Sequence, residues 1–265
     1  MKGNLKHSAR IITIANQKGG VGKTTTAVNL AAALGVAEKK TLLLDLDPQA
    51  NSSSSLAVRL CSDDECIYDV LVNETEALSV VRETGFNNLW LLPSNIKLVG
   101  AEIELVLMEN RESVLAGTIK GLREEFDYIL IDCPPSLGIL TLNGLTAADS
   151  VLIPIQAEYF ALEGLTQLLQ TVKLVQKRLN INLEIEGFVM TMFDERLNLA
   201  KQVREEVEKH FPNRIFETII RRNVRLAEAP SFGMPVMHFA STSAGSQDYL
   251  GLAAELLKKI NSRKT

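Results

Sequence analysis

A glycine-rich stretch near the amino terminus holds the side chains best suited to chemistry. Residues 18–25 read Lys-Gly-Gly-Val-Gly-Lys-Thr-Thr and lie between a strand-like run, Ile11–Ala15, and a helix-like run, Thr24–Ala37. Glycines let backbone N–H groups approach a polyphosphate closely, and a helix start adds the positive end of a dipole. Lys23 can reach the β- and γ-phosphates, and the Thr24 hydroxyl can ligate Mg²⁺. The stretch therefore predicts a loop that binds a nucleoside triphosphate. The loop residues expected to bind it are Lys18, Gly19, Gly20, Val21, Gly22, Lys23, Thr24 and Thr25.

One additional lysine distinguishes this loop from the usual sequence pattern of phosphate-binding loops, G-x-x-x-x-G-K-[ST]. The first glycine of that pattern would fall on Gln17, and Lys18 follows directly. Lys23 already serves a nucleotide bound by the same chain, and Lys18 comes too early in the loop for the same task. We therefore expect Lys18 to reach the phosphates of a nucleotide held by a second subunit, with Gly19 leaving room for that approach.

Carboxylates end two further strand-like runs. Asp45 and Asp47 follow one apolar run, and Asp132 ends another, Tyr128–Asp132, which has the Walker B pattern. A carboxylate at such a strand end can coordinate Mg²⁺ directly or through water. For Asp45, a structural hydrogen bond to nearby backbone is an equally good interpretation.

Together these motifs resemble the ParA/MinD group of deviant Walker ATPases. The motif KGGVGKTT is followed by DLDPQ at 45–49 and by DCPPS at 132–136, and the similarity to short ParA-type partition ATPases runs over about residues 10–258. The resemblance implies an ATPase of slow intrinsic turnover that binds ATP and Mg²⁺ and forms a homodimer on ATP. It makes Asp47 the switch aspartate needed for hydrolysis. The implied catalytic residues are Lys18, Lys23 and Asp47, and the implied Mg²⁺ ligands are Thr24, Asp47 and Asp132.

The resemblance also implies partners. They are double-stranded DNA bound without sequence preference and a ParB-type centromere-binding protein that stimulates hydrolysis, in a cytoplasmic, nucleoid-associated setting without stable membrane association. Arg196 and Arg225 match positions implicated in DNA binding, with Lys201 and Arg204 as helpers. Residues 196–225 carry eight basic and four acidic side chains in a chain of net charge −4, which permits a basic patch. Ion pairs with Asp194 or Glu228 are the competing interpretation for the two arginines.

Two residues are expected near the adenine base. By resemblance these are Arg222 and Asn223, and the Asn223 amide has the donor and the acceptor needed to read the edge of adenine. A plain turn role for Asn223 is an equal alternative. Arg221 stands where close relatives carry proline.

Short runs rich in Val, Ile and Leu alternate with helical patterns. This alternation predicts an α/β fold, a doubly wound, mostly parallel sheet flanked by helices on both faces, of the P-loop NTPase type. The predicted strands are Ile11–Ala15, Thr41–Asp45, Leu89–Leu92, Tyr128–Asp132, Ser150–Ile155, Glu186–Met192 and, more weakly, Ile215–Ile220. The predicted helices include Thr24–Ala37, Val99–Met108, Arg111–Glu125, Leu162–Leu179, Leu199–His210 and Ser246–Ile260. With no linker-like stretch, 10–265 is expected to be one domain behind a flexible tail, 1–9.

Two other functions compete with this interpretation. A MinD-like membrane-cycling ATPase would need an amphipathic C-terminal anchor, and the last helical pattern has an apolar stripe. An iron–sulfur carrier of the nitrogenase iron-protein type would need paired cysteines, and of the three cysteines only Cys133 adjoins a motif. Three cysteines also argue against a disulfide scaffold and fit a reducing compartment.

Overall fold

The strands form one twisted sheet that collects the predicted site at one edge. The computed structural model describes residues 8–61, 63–158 and 161–263. In these residues seven strands lie in the order β3-β4-β2-β5-β1-β6-β7, all parallel except the antiparallel pair β3–β4. The strands are β1 (Arg10–Ile14), β2 (Thr41–Asp45), β3 (Arg82–Glu83), β4 (Leu89–Leu92), β5 (Tyr128–Asp132), β6 (Ser150–Gln156) and β7 (Glu184–Thr191).

Helices cover both faces of the sheet. They are α1 (Lys23–Val36), α2 (Asn51–Ser55), α3 (Ile67–Val72), α4 (Ala77–Val80), α5 (Leu98–Glu104), α6 (Val114–Thr118), α7 (Ile139–Ala147), α8 (Ala161–Arg178), α9 (Asn198–His210), α10 (Val224–Glu228), α11 (Val236–Phe239) and α12 (Ala244–Ser262). Short 3₁₀ turns occupy Leu105–Leu107, Lys120–Glu124 and Ala229–Phe232. Two buried apolar clusters result, one on each face of the sheet. A sheet buried on both faces explains why its central strands are almost continuously apolar.

Strand register brings the two carboxylate motifs together. In the parallel ladder between β2 and β5, Asp45 pairs with Asp132, and in the ladder between β1 and β5, Ile14 pairs with Asp132. The carboxyl ends of β1, β2 and β5 therefore meet at one edge, where doubly wound sheets bind ligands. The predicted convergence of the three motifs follows directly from this register.

One predicted strand is wrong. Residues 215–220 form no strand: they meet β7 in one isolated bridge, Phe188–Ile215, and in two backbone hydrogen bonds, from the Phe216 N–H to the Phe188 carbonyl and from the Ile220 N–H to the Met190 carbonyl, at 2.9 Å each. The backbone N–H groups of Glu217 and Thr218 instead donate to the Glu255 carboxylate on α12, at 2.9 Å each. A side chain distant in sequence thus takes the hydrogen bonds that a strand would need.

Two predicted helices are shorter than their patterns. The Val99–Met108 pattern is helical as α5 and then tightens into a 3₁₀ turn. The Arg111–Glu125 pattern divides into α6 and a second 3₁₀ turn, with Gly117 and Gly121 inside it, and glycine weakens a continuous helix. The edge strand β3 was not predicted, since two residues give no periodicity.

The predicted tail lies mostly outside the described residues, which begin at Ser8. Ala9, its last residue, is buried and donates its N–H to the Arg123 carbonyl at 2.7 Å. The division into a tail and a single domain stays a prediction. Within the described ranges, no helix has the length and apolarity needed to cross a bilayer.

Candidate nucleotide-binding site

The glycine-rich loop joins β1 to α1 and contains two residues with a left-handed backbone conformation. Gly20 has φ +75° and Gly22, the N-cap of α1, has φ +84°, a region that L side chains rarely adopt. Among the residues that the structure describes, no side chain caps the start of α1, and its first turn holds no acidic residue. The first N–H groups of this helix are thus available to an anion, with the helix dipole favouring it.

A backbone carbonyl of β6 and a side chain of β7 hold the loop in place. The Asn16 amide donates to the Pro154 carbonyl at 2.7 Å and accepts the Lys18 N–H at 3.0 Å. The Thr191 hydroxyl donates to the Val21 carbonyl at 2.8 Å, and the Val21 side chain is buried. The loop backbone is therefore preorganised by the strands behind it.

Lys23 lies inside the loop that it follows. Its side chain is buried, and Nζ donates to the Lys18 carbonyl at 2.9 Å. Burial lowers the pKa of Lys23, while the neighbouring Asp132 and Asp47 oppose that shift. A desolvated ammonium group fixed beside an open helix start is well placed to attract phosphate.

Lys18 points to a different neighbour. Its ammonium group pairs with the Glu158 carboxylate, and the side chains of the pair are 32% and 46% exposed. Lys18 does not line the cavity described below, whereas Lys23 does. The two lysines of the loop are thus separated, one directed inward and one at the rim.

Asp45 and Asp47 differ in their surroundings. Asp45 is fully buried and accepts both the hydroxyl and the N–H of Ser53, at 2.7 and 2.8 Å, which fixes α2 on the end of β2. Asp47 accepts the Gln49 N–H at 2.9 Å and lines the cavity. The structure therefore gives Asp45 the structural hydrogen bond and leaves Asp47 facing the ligand space.

Asp132 has the features of a cation ligand. It is fully buried, and Oδ2 accepts the Ser52 hydroxyl at 2.8 Å, while Oδ1 has no hydrogen-bond partner among the described residues. Burial raises the pKa of Asp132, and the nearby charge of Asp45 raises it further. The Thr24 hydroxyl is close enough to favour the charged form. A buried carboxylate oxygen without a partner is costly unless a cation compensates it, so the residues present fit Mg²⁺.

A cavity of about 640 Å³ extends from the loop toward α10 and α12. Nine of the predicted site residues line it: Gly19, Gly20, Gly22, Lys23, Thr24, Thr25, Asp47, Arg222 and Asn223. Lys18, Val21 and Asp132 do not. Sequence reasoning missed several further lining residues: Gln49, Asn51, Pro135, Thr191, Met192, Ile220, Tyr249 and Leu226. Gln49 and Pro135 belong to motifs already recognised, but Thr191 and Tyr249 carry no local sequence signal.

Asn223 serves as a helix cap. Its side-chain oxygen accepts the Arg225 N–H at 2.8 Å at the start of α10, while the residue also borders the cavity. The turn role is therefore present in the structure. The role of Asn223 in reading adenine stays a prediction.

The predicted DNA-binding residues lie on or directly before α9 and on α10. Arg196 is 89% exposed and pairs with Asp194 at 2.7 Å, and Arg225 pairs with Glu228 at 2.8 Å, so both competing ion pairs are present. These pairs leave the arginines at the surface. Lys201 is exposed and Arg204 half-buried on the adjoining helix α9.

The bridge Phe193–Arg221 holds the loop that carries Arg196 beside the segment that ends in Arg225. Hydrogen bonds from Arg196 lower the pKa of Asp194, and the positive charge of Arg222 lowers it further. The four predicted residues therefore belong to two neighbouring segments, which can form one basic surface.

The glycine-rich loop leads into the start of a helix, on a doubly wound sheet, and carboxylates at the ends of neighbouring strands lie beside it. This arrangement defines a P-loop nucleoside triphosphatase. A family model described as an AAA domain matches residues 9–185. More specifically, the chain belongs to the Soj/ParA family of chromosome partitioning ATPases. The predicted family and fold class are confirmed.

The chain is 52% identical over 247 residues to the sporulation initiation inhibitor protein Soj of Bacillus subtilis, over 93% of this chain and 98% of that protein. It is also 52% identical over 250 residues to the chromosome partitioning protein ParA of Myxococcus xanthus, over 94% of this chain and 88% of that protein. A solved structure of cobyrinic acid a,c-diamide synthase from Mycobacterium smegmatis superimposes with a TM-score of 0.84 at 35% identity, over 96% of each chain. It contains an ATP analogue and magnesium, in agreement with the predicted cofactors.

The apolar stripe of α12 and the thiol of Cys133, on which the two competing functions depended, are both buried in the core. The apolar stripe of α12, which includes Leu252, Leu256 and Ile260, is buried in the core, so it is not presented as a membrane anchor. Cys133 is buried beneath α7, with Sγ 2.8 Å from the position that a Cβ on Gly144 would take. Cys133 therefore packs in the core.

Proposed function

We propose that the chain is an ATP-driven dimerising switch for partitioning chromosomes or plasmids. The ATP dimer binds DNA without sequence preference in the cytoplasm, on the nucleoid, and a ParB-type partner stimulates hydrolysis and releases it. The proposal is supported by the family and by one observation in particular. Lys18 sits at the rim of the loop, outside the cavity of its own chain, while Lys23 occupies the inward position.

With the two lysines placed in this way, the isolated chain is expected to hydrolyse ATP slowly. The two lysines supply two positive charges, but only Lys23 is directed at a nucleotide bound in cis. When two subunits meet face to face, Lys18 leaves Glu158 and contacts the γ-phosphate held by the partner. Charge that develops on that phosphate is then stabilised from both sides, which a single chain cannot do.

The remaining site residues prepare the reaction. Asp47, fixed through its bond to the Gln49 N–H, orients the attacking water, and the α1 start holds the phosphates. Thr24, Asp47 and Asp132 would hold Mg²⁺, which supplies neutralisation of phosphate charge when bound.

The nucleotide site and the basic surface share one segment. Arg222 and Asn223 border the cavity, and Arg225 lies two residues further on the outside. Ordering of this segment around ATP therefore also orders part of the DNA-binding surface. Arginine and lysine neutralise phosphates without base contacts, which suits binding without sequence preference.

Charge reversal at Arg196 tests the proposed DNA binding. Wild type is expected to bind DNA with ATP and not with ADP or without nucleotide. Arg196→Glu should weaken the ATP-dependent binding at least about tenfold and reduce the slope of log K against log salt by about one. Binding is measured by fluorescence anisotropy over a salt series.

Arg82→Glu is the matched control, because Arg82 lies on β3 at the opposite edge of the sheet from β7. It should bind DNA as wild type does. Absent or nucleotide-independent DNA binding by the wild type would contradict the proposed function.

Gly19 provides a separate test of the dimer. A Cβ at Gly19 would meet no atom of the described residues within 4 Å, and the φ of Gly19 is not in the left-handed region, so the single chain is expected to tolerate a side chain there. Gly19→Val should bind ATP within about twofold of wild type yet fail to dimerise, because the added methyl groups stand where the partner approaches. Fluorescent-nucleotide titration and light scattering measure the two properties.

The neighbouring glycine supplies the comparison. Gly20 has φ +75°, so Gly20→Val should distort the loop and weaken nucleotide binding itself. An ATP-dependent dimer of Gly19→Val would show that the partner does not pass close to this residue.

A further inference from the structure

Arg221 is fastened to a carboxylate on another element. Nη2 of Arg221 donates to Oδ1 of Asp248 at 2.5 Å, and Nε donates to both carboxylate oxygens at 3.1 Å. The backbone N–H of Arg221 donates to Oδ2 of the same carboxylate at 3.0 Å. Asp248 belongs to the first turns of α12, and its side chain is only 8% exposed. One buried carboxylate therefore holds both the side chain and the backbone of a single residue.

This pair stands at the part of the cavity where the base is expected, beside Arg222 and Asn223. Arg221, Arg222 and Asn223 line the cavity in succession. On one side of them, the Ile220 N–H donates to the Met190 carbonyl of β7, and on the other Asn223 caps α10. The pair with Asp248 thus ties the middle of this segment to α12.

The same turn of α12 also reaches the phosphate side. Tyr249 follows Asp248, lines the cavity, and places its hydroxyl 3.2 Å from that of Thr26 on α1. The segment expected beside the base and the helix α1 expected beneath the phosphates are therefore both tied to adjacent residues of α12.

We propose that Arg221 and Asp248 are positioning residues that hold Arg222 and Asn223 in the conformation that receives the base. The proposal rests on the nucleotide site of the proposed function and concerns how that site is kept preorganised. When the competent conformation is populated only in part, apparent affinity falls by that fraction. Loss of the pair should therefore weaken the binding of nucleotides that carry a base. Binding of phosphates by the glycine-rich loop should stay unchanged.

We expect proline to be tolerated at position 221 only if Asp248 is replaced at the same time. A proline at 221 fixes φ and removes the N–H whose acceptor is Asp248. With Asp248 still present, that proline would strand a buried carboxylate, which is strongly destabilising. With alanine at 248, the proline leaves no buried carboxylate and restrains the segment covalently.

The test measures binding of ADP and of tripolyphosphate, which has no base, to the full chain. Asp248→Ala, Asp248→Asn and Arg221→Ala should each bind ADP about tenfold more weakly and tripolyphosphate as wild type does. The double variant Arg221→Pro with Asp248→Ala should bind ADP within about twofold of wild type. Asp248→Asn keeps the side-chain volume and carries the test if the alanine variant does not fold.

Glu186→Gln is the matched control. Glu186 is also a buried carboxylate paired with an arginine, since its Oε2 accepts hydrogen bonds from Nε and Nη2 of Arg10. This pair lies toward the amino ends of the strands, away from the cavity. It should lower thermal stability without changing ADP affinity. Wild-type ADP affinity in the Asp248 variants, or equal loss for ADP and tripolyphosphate, would overturn the proposed role of the pair. Failure of the wild type to bind ADP would instead contradict the proposed function.

Discussion

Lys18→Ala is expected to reduce ATP turnover at least about a hundredfold, while the chain still binds ATP as a monomer. The reason is the position of Lys18 at the rim, paired with Glu158 and outside its own cavity. A cation supplied in trans to a transferring phosphoryl group contributes factors of about a thousand or more in well-studied cases, and one oxyanion donor about a hundred. Phosphate release measures the turnover, and fluorescent ATP measures the binding.

Glu158→Gln is the matched control for this prediction. It removes the partner of Lys18 in the free chain but keeps the lysine itself, so ATP-dependent dimerisation should be as strong as in wild type or stronger. If Lys18→Ala loses ATP binding instead of dimerisation, Lys18 serves its own chain, and the proposed division between the two lysines is wrong.

Asp47→Ala is expected to lower turnover about a hundredfold or more and to leave the ATP dimer intact. Asp47 is the carboxylate of its motif that faces the cavity, so its loss removes the orientation of the attacking water, while Thr24 and Asp132 remain to hold Mg²⁺ and the start of α1 still binds the phosphates. Single-turnover phosphate release compared with nucleotide binding separates the two effects.

Asp45→Ala, two residues earlier, is the comparison. Asp45 holds the Ser53 hydroxyl and N–H on α2, so its removal should lower the melting temperature more than Asp47→Ala does. Rapid hydrolysis by Asp47→Ala would remove Asp47 from the catalytic set.

The sheet was predictable because its central strands are continuous apolar runs that end in recognisable residues. Thr41–Asp45, Leu89–Leu92 and Tyr128–Asp132 have the predicted limits, and their parallel register places Asp45 opposite Asp132. Burial on both faces leaves few alternatives for such runs. The phosphate loop was equally predictable, since its chemistry requires contiguous residues.

The parts that escaped prediction depend on contacts between residues distant in sequence. Glu255 takes the backbone donors of residues 217–218 and prevents the strand predicted there. Asp248 anchors Arg221 from 27 positions away, and Glu158 pairs with Lys18 from 140 positions away. No local sequence pattern predicts such long-range contacts. The same holds for Tyr249, which enters the cavity only because α12 packs against α1.

The face-to-face dimer is the central claim, and the mass of the Asp47→Ala variant in solution tests it most directly. With hydrolysis suppressed, multi-angle light scattering at saturating ATP and Mg²⁺ should give twice the mass of one chain. With ADP, or after addition of Lys18→Ala to the same variant, it should give the mass of one chain. A single-chain mass for Asp47→Ala with ATP and Mg²⁺ would contradict the account.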